Sequence, residues 1–294
     1  MFRRRLFRLK LSSRTLVLGK RTLIMGVLNV TPDSFSDGNK FYSEEHAIEH
    51  AQHMERAGAD LIDIGAESTR PGSQGVSVEE ELKRVLPVLG ALRRLLKIPI
   101  SIDTHKAEVA EAALDAGAEI INDISGLRND PRIAEVAARR RLPLILMHMR
   151  GEPRTMQKGP FARDVMKDIL QGLRRSVAIA SKAGVAKSQI IIDPGIGFGK
   201  SYAQNYEVLQ QLPQLTKLGH PLMVGTSRKG FLGATLARDG KPAPAEERIW
   251  GTAATVTASI MNGAHIVRVH DVAEMVQVAR VADCLVDTRL APQN

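Results

Sequence analysis

The sequence has few of the residues that build disulfide scaffolds, metal modules or membrane spans. Cysteine occurs once in 294 residues, at Cys284, which excludes an internal disulfide and a zinc site built from several thiolates. Aromatic residues make up only 4% of the chain, too few for an extended base-stacking surface. No apolar run approaches the roughly 20 residues that cross a bilayer. We therefore expect a cytoplasmic protein with no membrane and no nucleic-acid partner.

Acidic residues are absent from the first 32 positions, and the positive charge is concentrated there. The net charge is +9, and eight Lys or Arg residues precede the first acid, Asp33. A basic excess confined to one tail argues against a nucleic-acid-binding body. The apolar pieces that follow the arginines are too short and interrupted for a secretory signal. We expect residues 1–22 to form a basic N-terminal extension, folded as a β-hairpin.

Short β-branched runs alternate with helical patterns from residue 23 to residue 288. The predicted strands are Leu23–Leu28, Leu61–Gly65, Ile98–Asp103, Glu119–Asp123, Leu142–His148, Gln189–Asp193, Pro221–Gly225 and Ala264–Val269. The predicted helices are Glu44–Ala57, Val78–Leu96, Ala107–Ala116, Ile133–Arg140, Phe161–Ala183, Glu246–Asn262 and Val272–Val286. Eight βα units without a Pro/Ser-rich linker predict an α/β fold: one (β/α)8 TIM barrel after the hairpin, with 289–294 as a C-terminal tail.

Polar residues follow nearly every predicted strand, where the catalytic groups of such barrels gather. They are Asn29, Asp63, Glu67, Asp103, Asn122, Asp123, His148, Asp193, Ser227, Arg228, Lys229, Arg268 and His270. A lone Asp or Asn at such a junction is more often a helix cap, and we interpret Asp123 and Asp271 as structural. The coincidence at eight junctions nevertheless predicts a site at this end of the barrel.

Two loops after the first and second strands, residues 29–38 and 67–73, are rich in residues that favour tight turns. They could close over a ligand or be inert turns, and composition alone does not separate these alternatives. Arg70 gives the second loop a planar cation suited to phosphate.

The segment Asp193–Ser201 resembles two nucleotide motifs but fits neither. Its glycines are spaced G-x-G-x-G, not G-x-G-x-x-G, and Pro194 stands where a Walker A loop begins with glycine. We predict a Gly-rich junction whose backbone approaches a flat ligand closely.

The junction residues predict a ligand with a flat polar ring at one end and phosphates at the other. Asp103, Asn122 and Asp193 can accept ring N–H donors, and Arg70, Lys229 and Arg268, with His270, can bind an anion. Paired-histidine metal motifs and G-x-S-x-G are absent, so His105 and His148 are interpreted as hydrogen-bonding residues. Any metal is expected to be Mg²⁺ held mainly by ligand phosphates.

Eight segments in order resemble the dihydropteroate synthase family. They are MGVLNVTPDSFSDG from Met25, DIGAESTRPG from Asp63, SIDT from Ser101, INDI from Ile121, LMHMRG from Leu146, DPGIGFGK from Asp193, SRK from Ser227 and RVHD from Arg268. One such segment would be weak evidence, but the ordered set spans nearly the whole chain and is highly specific.

The resemblance implies a transferase of folate biosynthesis that condenses 6-hydroxymethyl-7,8-dihydropterin pyrophosphate with 4-aminobenzoate, giving 7,8-dihydropteroate and pyrophosphate. It implies that the pterin contacts Asp103, Asn122, Met147, Asp193, Phe198 and Lys229, and that the pyrophosphate contacts Arg70, Arg268 and His270. It places aminobenzoate, and the sulfonamides that target the family, beside Phe35, Thr69, Pro71 and Ser227. Asn29 would contact Mg²⁺, and the chain would form a homodimer on the Trp250 side.

The implied step resembles SN1, because pyrophosphate departs readily and the dihydropterin stabilises the methylene cation. No protein nucleophile is needed. The residues expected to act in catalysis are Asp33, Arg70, Asp103 and Lys229, with Asp33 and Arg70 ordering the loops.

Three residues depart from the commonest family pattern: Ala66, Gly230 and Trp250. They bear on fine phosphate or sulfonamide contacts, not on the reaction.

Two other functions remain open at this point. One is a pterin-binding methyltransferase with a cobalamin partner, against which the Ser-Thr-Arg-Pro-Gly and Ser-Arg-Lys segments argue. The other is a silent barrel that binds a pterin, or nucleic acid through its tail.

Overall fold

The computed structural model describes residues 4–30, 40–67, 75–152 and 155–292, with only the backbone for 40–43. The strands in these ranges are β1 Phe7–Lys10, β2 Thr15–Leu18, β3 Leu23–Asn29, β4 Leu61–Gly65, β5 Ile100–Asp103, β6 Ile120–Asp123, β7 Leu144–Met147, β8 Ile190–Asp193, β9 Met223–Val224 and β10 Ile266–Val269. The helices are α1 Lys40–Arg56, α2 Val78–Leu95, α3 Ala107–Ala116, α4 Arg132–Arg140, α5 Val165–Lys182, α6 Tyr202–Gln211, α7 Pro213–Thr216, α8 Gly230–Thr235, α9 Ile249–Met261 and α10 Val272–Val286.

Strands β3 to β10 form one parallel barrel, which confirms the predicted fold class. The sheet order is β8-β7-β6-β5-β4-β3-β10-β9, and a parallel bridge between Ile192 and Leu222 joins β8 to the segment before β9 and closes the ring. All five residues of β4 and all four of β7 are buried. Such runs are typical of parallel strands covered by helices on one face and by the barrel interior on the other.

The predicted N-terminal hairpin is confirmed and covers the amino end of the barrel. Strands β1 and β2 pair antiparallel, and Leu9 and Leu18, both 0% exposed, belong to an apolar cluster that includes Met25 of the barrel. Alternation along β1 leaves Arg8 and Lys10 exposed on the outer face. The hairpin therefore contributes apolar side chains to the barrel floor and carries the charges of β1 on its outer face.

The seven predicted helices are all present; α3 and α10 have the predicted bounds, and the boundaries of the other five are shifted. Helix α5 begins at Val165 instead of Phe161, because the Asp164 carboxylate accepts from the Lys167 N–H at 2.9 Å and caps the first turn. Helices α6, α7 and α8 were not predicted. The signal for α6 was in the sequence, since Ser201 and Gln204 form a capping box there. None of the helices in the described ranges is long and apolar enough to cross a membrane.

Candidate active site at the carboxyl end of the barrel

The carboxyl ends of β5, β6 and β8 bring the predicted ring-binding residues to the same end of the barrel. Asp103 ends β5 and is in register with Asn122 of β6, and Asp193 ends β8 in register with Met147 of β7. Parallel strands of equal direction place these positions at one layer of the mouth. Asn122 is 1% exposed and Asp193 is 4% exposed, so this layer is closed to bulk water on most sides.

The Arg268 side chain crosses the mouth from β10 and contacts two acids. Its Nε donates to Oδ2 of Asp63 at 2.6 Å, and its Nη2 donates to Oδ2 of Asp103 at 2.9 Å. Asn122 Nδ2 donates to the same Asp63 oxygen at 2.9 Å. Asp63, which the sequence analysis noted at a strand end but did not assign to the site, is therefore the hub of this network.

Two buried oxygens of the network have no hydrogen-bond donor within the described part of the chain: Oδ1 of Asp63 and Oδ1 of Asn122. Buried acceptors in proteins almost always have a partner. The Asn122 oxygen adds a neutral acceptor beside the carboxylate of Asp103. This donor-poor layer is suited to a ligand that carries several N–H groups.

Burial shifts the titration of both carboxyl groups toward neutral pH. Loss of solvation raises the pKa of Asp103 to about 7, although the charge of Arg268 opposes the shift. Burial also raises the pKa of Asp193 to about 6, opposed by the Gly195 N–H and by the charges of Lys229 and Lys200. Each group would gain from N–H donors of a ligand, because such donors stabilise the anion.

The Gly-rich junction after β8 approaches another loop so closely that it excludes side chains. A Cβ at Gly195 would lie 1.9 Å from the carbonyl oxygen of His148, and one at Gly199 would lie 2.0 Å from that of Arg150. The sequence predicts that this backbone approaches a flat ligand; its close neighbour within the chain is the segment after β7. The Gly195 N–H turns back to Oδ1 of Asp193 at 2.6 Å and orients that carboxylate.

Phe198 and Met147 form an apolar wall next to the acids. Both are nearly buried and belong to one cluster with Met149 and two other residues. The Lys229 ammonium lies 4.1 Å from the centre of the Phe198 ring, within cation–π range. Burial lowers the pKa of Lys229 to about 8, and Arg268 lowers it further while Asp193 and Asp103 oppose. The wall thus presents a flat face with a weakly acidic ammonium beside it.

Ser227, after β9, and His270, after β10, form a neutral hydrogen-bonding pair. Ser227 Oγ accepts from the His270 N–H at 3.1 Å and lies 3.0 Å from its Nδ1. Burial, together with the charges of Arg268 and Arg228, lowers the pKa of His270 to about 3. His270 is therefore a neutral donor or acceptor near neutral pH, and the positive charge next to it comes from the arginines.

The two acids interpreted as structural differ in how they act. Asp123 accepts from the N–H groups of Ser125 and Leu127, at 2.8 and 2.6 Å, and holds the turn after β6 as expected. Asp271 makes no side-chain cap at α10. Its carboxylate pairs instead with the guanidinium of Arg228, so its structural contact is an ion pair and not a helix cap.

Of the remaining predicted site residues, one lies at the mouth of the barrel and five lie outside the described residues. Asn29 ends β3 with an exposed side chain. The five are in the two loops, outside the described residues: Asp33, Phe35, Thr69, Arg70 and Pro71. Of the three departures, Ala66 is buried after β4, Trp250 is exposed, and a Cβ at Gly230 would meet nothing within 4 Å. An added Cβ at position 230 would therefore fit without rearrangement.

A buried lysine under the Gly-rich junction was missed by the sequence analysis. Lys200 is 1% exposed, and its Nζ contacts Nδ1 of His148 at 3.2 Å. The signal was the Gly-Lys-Ser sequence, set aside once a nucleotide motif was excluded. The interpretation of His148 as a hydrogen-bonding residue agrees with this contact. No group of three or more His, Cys, Asp or Glu residues within the described ranges could hold a metal ion.

Comparison with known proteins gives a consistent result. The family of pterin binding enzymes matches residues 25–270. A dihydropteroate synthase of Synechocystis sp. is 53% identical over 267 residues, covering 91% of each chain. A Xanthomonas albilineans dihydropteroate synthase solved with 4-aminobenzoic acid is 42% identical with a TM-score of 0.88, over 96% of this chain and 98% of that one.

A second Xanthomonas albilineans structure, solved in complex with 7,8-dihydropteroate, is 40% identical with a TM-score of 0.83, over 95% of this chain and 98% of that one. The match in sequence, in fold and over nearly full length confirms the resemblance drawn from the eight segments. The chain therefore belongs to the pterin binding enzyme family, as a member of its dihydropteroate synthases.

Proposed function

We propose that this chain condenses 6-hydroxymethyl-7,8-dihydropterin pyrophosphate with 4-aminobenzoate, giving 7,8-dihydropteroate and pyrophosphate. The observation that carries the proposal is the layer of acceptors formed by the partly buried Asp103 and the buried Asn122 and Asp193, beside the Phe198 and Lys229 wall. An aminopyrimidinone edge offers the adjacent N–H donors that such a layer needs. The solved relatives with 4-aminobenzoic acid and with 7,8-dihydropteroate support the same pair of substrates.

The pterin ring would lie in the slot with its polar edge toward the acids. Asp103 and Asp193 would accept its N–H groups, and the orphaned Oδ1 of Asn122 would gain a donor. Met147 and Phe198 would line its face, with Lys229 contacting the ring. In this arrangement the two carboxylates also place negative charge next to the ring that becomes cationic in the reaction.

The pyrophosphate would bind on the β10 side. Arg268 and the neutral His270 supply N–H donors there, and Arg70 would add a second guanidinium. Thr69, Pro71, Ser227 and Phe35 would border the aminobenzoate. These assignments follow the family resemblance. The Arg268 side chain is 22% exposed, which supports its proposed contact with the pyrophosphate.

Asn29 would contact Mg²⁺ at the mouth. An exposed amide oxygen together with substrate phosphates is a donor set that Mg²⁺ accepts, because this ion keeps few protein ligands. When bound, the ion neutralises charge on the departing pyrophosphate. The chain's own residues account for the remaining tasks.

In the reaction, the bond between the pterin methylene carbon and the pyrophosphate oxygen breaks, and its electron pair leaves with pyrophosphate. The methylene cation is delocalised over the dihydropterin, and Asp103 and Asp193 stabilise it electrostatically. The aminobenzoate nitrogen then forms the new C–N bond and loses one proton. Asp33 and Arg70 would order the loops so that the amine attacks in place of water.

We also propose a cytoplasmic homodimer. Trp250 of α9 is 79% exposed, and Val281 and Leu285 of α10 are 65% and 55% exposed. Large apolar side chains exposed on two packed helices are characteristic of an oligomer interface. A single cysteine supports a reducing compartment.

The test is dihydropteroate formation by the purified chain with Mg²⁺ and both substrates, beside Asp103→Asn and a matched control, Asp115→Asn. Asp115 is exposed and lies in the last turn of α3, the helix that follows β5. We expect product that requires both substrates, a loss of about 100-fold or more in Asp103→Asn, and no loss in the control. Pterin binding without turnover would contradict the proposal and favour the methyltransferase.

A further inference from the structure

Lys200 carries a buried ammonium directly beneath the proposed pterin slot. Its Nζ donates to the carbonyl oxygens of Gly195 at 2.8 Å and Phe198 at 3.0 Å. These two residues are the ends of a turn closed by the Phe198 N–H on the Gly195 carbonyl, at 3.1 Å. The ammonium therefore binds the carbonyl oxygens at both ends of this turn. The same turn carries Phe198 and the Gly195 N–H that orients Asp193.

His148 connects this ammonium to helix α5. Its Nδ1 accepts from Lys200, so the proton of the neutral ring is on Nε2, which faces Oδ2 of Asp168 at 3.4 Å. Burial lowers the pKa of His148 to about 4, which keeps the ring neutral. A Cβ at Gly172 of α5 would lie 2.5 Å from the imidazole Cδ2. The helix thus approaches so closely that only glycine leaves room for the ring.

Burying an ammonium whose direct partners are all neutral is costly, since its charge loses solvation without a bonded carboxylate. Burial accordingly lowers the pKa of Lys200 to about 7, opposed by the charges of Asp193 and Asp168. A methionine would fill a similar shape without that cost. The retained charge indicates a role beyond packing.

We propose that Lys200 is a positioning residue for the pterin half of the site: it fixes the turn from Gly195 to Phe198, and its charge favours the anion of Asp193. The inference rests on the proposed function, because it concerns the acid that would bind the pterin. His148 and Asp168 orient the lysine from the side of α5. None of these three residues touches the substrate in this scheme.

Among the described residues, few charged groups surround the Asp193 carboxylate and the Lys200 ammonium. Asp193 faces Lys229, Lys200 and Arg268, while Lys200 faces Asp193, Asp168, Lys229 and Arg128. Removing Lys200 leaves Asp193 with two of the three cations that the described residues place near it. The carboxyl group then holds its proton to higher pH, and the anion needed for pterin binding forms later in a titration.

The experiment compares Lys200→Met with Lys187→Met, an exposed lysine just before β8, and with the unaltered chain. We expect the KM for dihydropterin pyrophosphate to rise about tenfold, as for loss of charge-assisted hydrogen bonds, with the KM for 4-aminobenzoate unchanged. We also expect the part of the acid limb of kcat/KM that Asp193 sets, near pH 6, to move to higher pH by about half a unit. A merely structural lysine would leave that limb in place, and this result would overturn the inference.

If Lys200→Met does not fold, two variants of His148 decide the question. His148→Asn keeps an amide oxygen near the position of Nδ1 and should retain a nearly normal KM for the pterin substrate. His148→Leu removes the acceptor and should raise that KM. Equal behaviour of the two would overturn the inference. Absence of product from the unaltered chain would instead contradict the proposed function, while binding of 6-hydroxymethyl-7,8-dihydropterin, followed by fluorescence, would still report on Lys200.

Discussion

Arg268 donates to Asp103 across the mouth of the barrel, at 2.9 Å, although 165 residues separate the two in sequence. The same guanidinium donates to Asp63, so one cation is shared by two acids. The arrangement holds Asp103 in place before any ligand arrives. It also means that Asp63, which is 0% exposed, helps to control the electrostatics of the site through its charge.

Substitution of Asp63 should reveal this control. The negative charge of Asp63 helps to raise the pKa of Asp103, so Asp63→Asn should lower that pKa and move the acid limb of kcat/KM to lower pH. The plateau should fall about tenfold, because Arg268 loses a charge-assisted hydrogen bond. A pH–rate series on the variant and on Asp115→Asn measures both effects, and a limb displaced to higher pH would contradict the assignment.

The unaltered enzyme should show a bell-shaped dependence of kcat/KM on pH for the pterin substrate. Asp103 and Asp193 must be ionised, and burial raises their pKa values to about 7 and about 6; Lys229 must be protonated, and its pKa is lowered to about 8. Activity should therefore fall as the pH drops below 7 and more steeply below 6. It should fall again toward pH 8 and above, as first Lys200, whose pKa burial lowers to about 7, and then Lys229 lose their protons. A flat profile between pH 5 and pH 7, measured with saturating aminobenzoate, would contradict these roles.

The Gly-rich junction should tolerate no side chain at Gly195. The backbone φ there is +65°, and a Cβ would meet the His148 carbonyl at 1.9 Å. Gly195→Ala should therefore lower the free energy of unfolding by about 2 kcal/mol or more and reduce pterin affinity. Gly90→Ala is the matched control, since a Cβ at this position in α2 meets nothing within 4 Å and should stabilise the helix slightly. Urea denaturation of both variants makes the comparison, and equal midpoints would be inconsistent with the close approach.

Arg4 should matter for stability and not for catalysis. Its guanidinium pairs with Asp283 of α10, and both residues are buried. Removing one partner of a buried pair leaves an uncompensated charge and costs about 3–5 kcal/mol. Arg4→Met should lower Tm while kcat/KM stays near normal, and the exposed Arg8→Met should change neither. Loss of activity in a folded Arg4→Met protein would mean that the extension reaches the site.

The exposed apolar face of α9 should govern assembly. Trp250→Glu places a charge on the proposed interface and should shift sedimentation from dimer to monomer, because desolvating an unpaired carboxylate opposes association. Tyr202→Glu is a control, since Tyr202 is also exposed, at 54%, but lies on α6. A dimer that survives Trp250→Glu at micromolar concentration would exclude this face.

Local sequence pattern was enough to predict the barrel and the layer of acids. The period of apolar residues gave eight strands, and the register of parallel strands necessarily brings Asp103, Asn122 and Asp193 to one edge. Helix boundaries were predicted less accurately, because a helix start such as that of α5 is set by the local hydrogen bond of its cap, Asp164, which the apolar periodicity does not show. The short helix α8, which contains Gly230 and Gly233, has little intrinsic propensity and forms by packing.

The sequence by itself determined the order of the elements, the strand-end chemistry and the family, because these depend on residue type and spacing along the chain. Only the tertiary structure decided that Arg268 is shared by Asp63 and Asp103, that His270 is neutral, and that Lys200 lies buried against two carbonyls. The physical reason is that burial, distance and charge at each of these groups are set by residues far apart in sequence, whose approach exists only once the barrel has closed.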